Sequence, residues 1–203
     1  MDRALHLFVR LTDRFNRRVG RIMMYGIFVM MGILLWSSIS KTFFLPSLWT
    51  LEMAQFAMVA YYILGGTYSI QMGSNVRMDL LYGDWTETRK AWFDAITVLF
   101  LMFYLGVLLW GGIGSTAYSL GHYGTEPFSF FGQLLSGFLT GGIDGASEVL
   151  GRPERSPTAW RPYLWPIKSV MVLGLFLMLL QSGSELAKDI LRIRGAQIPR
   201  EAI

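Results

Sequence analysis

The chain contains no cysteine. Disulfides and thiolate metal sites are therefore excluded, and the redox compartment leaves no mark on the sequence. Charge is scarce as well: Asp, Glu, Lys and Arg make up 16% of the 203 residues, where soluble domains carry about a quarter. Histidine occurs twice, as His6 and His122, and neither lies in the middle of an apolar run, so the facing mid-helix pair of a bis-histidine haem protein is missing. No nucleophile–base set, metal cluster or phosphate loop is discernible. The glycines of "GGIGS" at 111–115 lack the strand–helix context of a dinucleotide site. Neither a catalytic group nor a cofactor is expected. The net charge of +4 and pI near 9.5 do not point to nucleic acid, because no basic patch is interleaved with exposed aromatics.

What the chain has instead is length without charge. Ile22 to Ser40 is nineteen uncharged residues, about 28 Å as a helix at about 1.5 Å per residue, close to the hydrocarbon thickness of a bilayer. Uncharged runs of twenty-four, twenty-eight and sixteen residues follow at Met53–Val76, Ala95–His122 and Ser169–Ser184. The last is lengthened by Trp165, Lys168 and Glu185, whose polar ends reach the interface by snorkelling. No acid or base falls mid-span, where it would cost roughly 2.5–3.5 kcal/mol. The expectation is an all-α integral membrane protein with four transmembrane helices at 22–45, 51–76, 92–122 and 163–187. A single membrane domain is completed by a basic N-terminal segment (1–21), an outer loop (123–162) and a tail (188–203).

Orientation follows from the cations. With the N-terminus inside, thirteen Lys and Arg lie on the cytoplasmic side and five (Lys41, Arg152, Arg155, Arg161, Lys168) outside, as the positive-inside rule requires. Both termini are then cytoplasmic and the number of spans is even. The first nineteen residues set Leu5, Phe8, Val9, Leu11 and Phe15 against arginines, the pattern of an amphipathic helix on an anionic surface; a solvated basic tail is the alternative. The apolar run is too long for a cleaved signal. In the outer loop, "FSFFGQLLSGFLTGGI" (128–143) is uncharged but rich in glycine, which weakens helices. It reads as part of an interfacial or re-entrant insert at 128–150, or else as a flexible loop. Gly137, Gly141 and Gly145 recur at the four-residue spacing of close-packed helix pairs.

Polar residues stand out at fixed depths. Trp49 is placed to anchor at the headgroup level, and Glu52 either complements the N-terminus of the second helix or pairs across a subunit interface. Arg77 and Asp79 follow the inner end of that helix, as a solvated pair of little weight or one that sets register at an interface. "SPTAWRPYLWPIKSV" (156–170) combines prolines of locked φ with Trp160, Arg161, Trp165 and Lys168 at the mouth of the last apolar run.

Together these stretches resemble the small permease subunit of tripartite ATP-independent periplasmic (TRAP) transporters. The likeness rests on Trp49-Thr-Leu-Glu52, on Gly73-Ser-Asn75-Val-Arg77-Met-Asp79, on the basic Arg89-Lys90, and on Ser156, Trp160, Arg161, Pro162, Trp165, Pro166, Ile167 and Lys168, followed by Gln181. The apolar 128–155 region departs from that pattern. The resemblance implies a non-enzymatic scaffold in a bacterial inner membrane. Its partners would be a large elevator subunit that binds sodium and an organic acid, a periplasmic substrate-binding protein, and phospholipids. Trp49, Glu52, Arg77, Asp79, Trp160, Arg161, Trp165 and Lys168 become candidates for contact with subunit or lipid. The alternatives are a stand-alone four-helix carrier, for which Glu52 is the plausible coupling group, and the membrane anchor of a redox complex.

Overall fold

The structure, a computed structural model, describes residues 2–73 and 85–195. Six helices occupy them: α1 (Asp2–Met24), α2 (Gly26–Phe43), α3 (Thr50–Gln71), α4 (Glu87–Ser119), α5 (Pro127–Val149) and α6 (Trp165–Ile193). No strand occurs among the described residues; the sheet-like pairing there is an isolated antiparallel bridge between Arg155 and Tyr163.

Three stretches are long and apolar enough to cross a membrane: Leu5–Phe43, Arg89–Ser119 and Trp165–Ile193. The first takes in both α1 and α2. Helix α3 has sufficient length at 22 residues, but Glu52, Gln55, three tyrosines and two glycines dilute its apolar character, and it is not among the three. Large apolar side chains stand exposed along α2 (Phe28, Leu35, Trp36) and α4 (Phe100, Phe103, Trp110). Exposed apolar surface of that extent belongs against lipid or a partner, not water. The chain is a multi-pass membrane protein.

The element boundaries have local causes. Tyr25 interrupts the path from α1 to α2 with a turn closed by its N–H on the Ile22 carbonyl (3.1 Å). Thus the basic segment expected at 1–21 is itself helical. Helix α3 ends at Gln71, followed by Gly73 at φ 60°, a left-handed conformation that suits a residue without Cβ. Pro127 sits at the first helical position of α5 and Pro166 at the second of α6, where a missing N–H costs nothing. Helix α6 runs to Ile193, so residues 188–193, expected in the tail, continue the helix.

Contacts divide the chain into two compact units. The first comprises Met1–Ile27, Tyr61–Val107 and Gly174–Ile203, the second Phe28–Ala60 and Leu108–Leu173. In the first, small residues allow close helix approach. A Cβ on Gly20 would strike the Tyr68 side chain, and one on Gly174 would strike Ile63. Val9, Ala95, Leu105, Leu177 and Leu191 are buried in the same unit.

In the second unit, α5 is two helices rather than one. Gly142 breaks it with φ 62°, ψ −140°, and the chain folds back so that a Cβ on Gly137 would lie 2.6 Å from the Gly145 carbonyl oxygen. The four-residue glycine spacing thus marks no continuous face. Gly137 and Gly145 pack on each other across the reversal, because nothing larger fits between two such close backbones. Phe130, buried at the start of this hairpin, stacks on His122 with ring centroids 4.7 Å apart.

Candidate functional site

Helix α1 carries three stripes. Val9, Asp13, Asn16 and Gly20, at successive spacings of four, three and four, are buried. Arg10, Arg14, Arg17 and Arg21 repeat the same spacing one position on. Leu7, Leu11, Phe15 and Ile22 are exposed. The inward stripe is therefore polar at its centre, whereas the apolar residues Leu11 and Phe15 face outward.

Asp13 and Asn16 meet a polar face on the last turns of α6, where Gln181, Ser184, Glu185 and Lys188 are spaced for one side of a helix. Asn16 Nδ2 donates to Gln181 Oε1 (2.7 Å). Gln181 Nε2 donates in turn to Asp13 Oδ1 and to Glu185 Oε1, each at 3.0 Å. Ser184 Oγ donates to Asp13 Oδ1 (2.8 Å). Lys188 Nζ lies 2.8 Å from Asp13 Oδ2 and 2.7 Å from Glu185 Oε1. The Asp13 and Lys188 side chains are 2% and 4% exposed, so the pair is largely unscreened by solvent. Gln71 Nε2, at the end of α3, donates to the Asp13 carbonyl (3.1 Å). Such a network locks α1, α3 and α6 in one register, since each member is costly to bury unpaired.

The second unit has its own buried carboxylate. Glu52, in the first turn of α3, is 4% exposed. Its Oε1 accepts from Ser156 Oγ at 2.6 Å and from Thr158 Oγ1. The loop between α5 and α6 is tied down by this contact. Lys168, one turn into α6, reaches back to Glu154 Oε2 at 2.6 Å and to the Ser115 carbonyl at 3.4 Å. The backbone closes the same loop, with Ser156 N–H on the Pro162 carbonyl (2.9 Å) and Leu164 N–H on the Glu154 carbonyl (3.2 Å). A second tie joins Gly151 N–H to the Leu120 carbonyl (3.2 Å).

Of the residues singled out in the sequence, Glu52 and Lys168 pair within this chain. Trp49 is partly exposed just before α3, and Trp160 and Trp165 are 40% and 41% exposed, with Trp165 opening α6. Arg161 adopts φ 50° and lines a pocket with Arg152, Pro153, Arg155 and Tyr163. Arg77 and Asp79 lie outside the described residues. Sequence reasoning passed over the Asp13–Lys188 network. Its signal was Asp13 and Asn16 at i, i+3 within a basic helix, matched by a polar face at the end of the last apolar run.

A family model for tripartite ATP-independent periplasmic transporters, DctQ component, matches residues 30–131, half of the chain. The chain belongs to this family. It is a small membrane component of a TRAP transporter. The matched range holds most of α2, all of α3 and α4 with Trp49 and Glu52, and the first residues of α5, and ends before the 156–168 stretch. No curated protein and no solved structure matches the chain. In this DctQ-family component Asp13 is engaged on both carboxylate oxygens by the chain's own donors and Glu52 on Oε1, whereas Glu52 Oε2 is buried without a hydrogen-bond partner.

Proposed function

We propose that this chain is the non-transporting small subunit of a TRAP transporter in a bacterial inner membrane. In this reading α2, α3, α4 and α6 span the bilayer, both termini are cytoplasmic, and the α5 hairpin re-enters on the periplasmic side. The subunit holds the static part of a large sodium-coupled elevator subunit, to which a periplasmic binding protein delivers an organic acid. Sodium and substrate are bound by the large subunit, and neither nucleic acid nor an enzymatic reaction is involved. Trp49, Arg77, Asp79, Trp160 and Trp165 are the contacts to that partner or to lipid.

The observation that carries the reading is the fate of the two buried carboxylates Asp13 and Glu52. A carrier that couples ions by itself needs an ionisable group free to exchange them near the midplane. Here Asp13 is committed to Lys188, and Glu52 holds two hydroxyls of the loop before α6 through Oε1 alone. Family membership and the cation asymmetry of thirteen against five support the same conclusion.

Two measurements test it. Affinity purification of the tagged chain from gently solubilised native membranes should bring down a larger multi-span protein at one to one. Proteoliposomes containing the chain alone should take up no organic acid under a sodium gradient, and uptake should begin when the large protein is included. Uptake by the chain alone would refute the scaffold reading.

A further inference from the structure

We propose that Arg152, Arg155 and Arg161 form a binding site for a phosphate group, presented by the headgroup of an anionic phospholipid. The three side chains line one pocket of about 380 Å³ together with Pro153 and Tyr163. No carboxylate lines it. Glu154, which lies between two of these arginines in sequence, is drawn away by Lys168 at 2.6 Å. Arg152 and Arg161 make no ion pair among the described residues. Three like charges repel, and their convergence without a counter-charge is stabilised by an anion.

The pocket is a built cradle. Arg155 stacks over the Tyr163 ring, its Cζ 4.4 Å from the centroid, and its guanidinium donates to the Tyr163 hydroxyl. Stacking of this kind fixes the plane of the guanidinium and leaves other N–H groups for a ligand. Arg161 stands at φ 50°, a conformation that side-chain-bearing residues seldom adopt and that collects at ligand sites. The closed 154–164 loop imposes it, through the Ser156–Pro162 and Leu164–Glu154 backbone bonds.

Location identifies the source of the phosphate. The pocket ends at Tyr163, two residues before Trp165 opens the membrane helix α6. Trp160 and Trp165 are both partly exposed and mark the headgroup level, where tryptophan concentrates. At that depth guanidinium forks match the phosphate oxygens of a headgroup two at a time.

The test is native mass spectrometry of the full chain in neutral detergent, titrated with phosphatidylglycerol and, separately, with phosphatidylcholine. The expected result is preferential retention of phosphatidylglycerol. Its apparent Kd should rise about fivefold for Arg152→Gln and about a hundredfold for Arg152→Gln/Arg155→Gln/Arg161→Gln. Arg161→Gly separates binding from folding: it relaxes the positive φ, so the melting temperature should hold or rise while lipid affinity falls. Equal retention of both lipids, or undiminished phosphatidylglycerol binding in the triple variant or in Arg161→Gly, would overturn the proposal. So would inorganic phosphate stabilising the wild-type chain while phosphatidylglycerol does not bind, which would assign the pocket to a free anion. Loss of a co-purifying protein from the triple variant with lipid retention intact would assign it to a protein carboxylate instead.

Discussion

Asp13 and Glu52 are both carboxylates almost sealed from solvent, yet their charges are compensated by different chemistry. Asp13 has a cation, Lys188 at 2.8 Å, and two neutral donors, Gln181 and Ser184. Glu52 has hydroxyls alone, from Ser156 and Thr158, and a place in the first turn of α3, where the helix dipole favours an anion. The first arrangement joins three helices through long side chains from distant parts of the chain. The second fastens a loop to a helix start with short side chains. An ion pair tolerates burial only when both members are present, whereas a hydroxyl cradle loses strength in steps.

That contrast sets the order of expected effects. Lys188→Met should be the most damaging, because it leaves Asp13 buried and unpaired: a loss of about 3–5 kcal/mol is expected, read as a fall in melting temperature of the purified chain in detergent. Adding Asp13→Asn to Lys188→Met should recover a large part of the loss. A melting temperature indifferent to Lys188→Met would mean that the ion pair holds nothing together.

Ser156→Ala should cost about 1–3 kcal/mol, the penalty for removing one donor from a buried acceptor. Its sharper signature is local: limited proteolysis should cut the 151–164 loop sooner while the helices stay protected. Cleavage of the loop at the wild-type rate would count against the cradle.

Gly137→Ala probes neither carboxylate. Overpacking of the α5 reversal against the Gly145 carbonyl should cost roughly 1–3 kcal/mol, within the second unit only, and the melting temperature should fall by less than in Lys188→Met. At the bottom of the scale, Glu148→Gln on an exposed turn of α5 should change stability by no more than about 0.5 kcal/mol. A larger effect there would show that exposed charge in this chain is not solvated.

Much of this architecture was legible in the sequence, for reasons that lie in single residues and their near neighbours. Four uncharged runs located α2, α3, α4 and α6, while α1 and α5 lie largely outside those runs. The reach of Lys168 back from α6 was legible only as a cation near the interface, and its partner Glu154 could not be named, since the pairing depends on how the intervening loop closes. The glycine series at 137, 141 and 145 gave a true signal with the wrong geometry. Periodicity assumes a continuous helix, and the reversal at Gly142 removes that assumption. Helix α1 was readable as amphipathic, but not which of its faces turns inward: Val9, expected with Leu11 on the apolar side, is buried beside Asp13 and Asn16, while Leu11 faces out.

The sequence by itself determined that this is a helical membrane protein of the DctQ family. Transfer of a helix into lipid is decided nearly residue by residue, so local composition suffices. Only the tertiary structure decided which polar groups are spent inside the chain and which remain available. Asp13 meets Lys188, Glu52 meets Ser156, and three arginines are left converging on one pocket. Those outcomes depend on the faces that helices turn toward each other and on how one loop closes, and no local pattern carries that information.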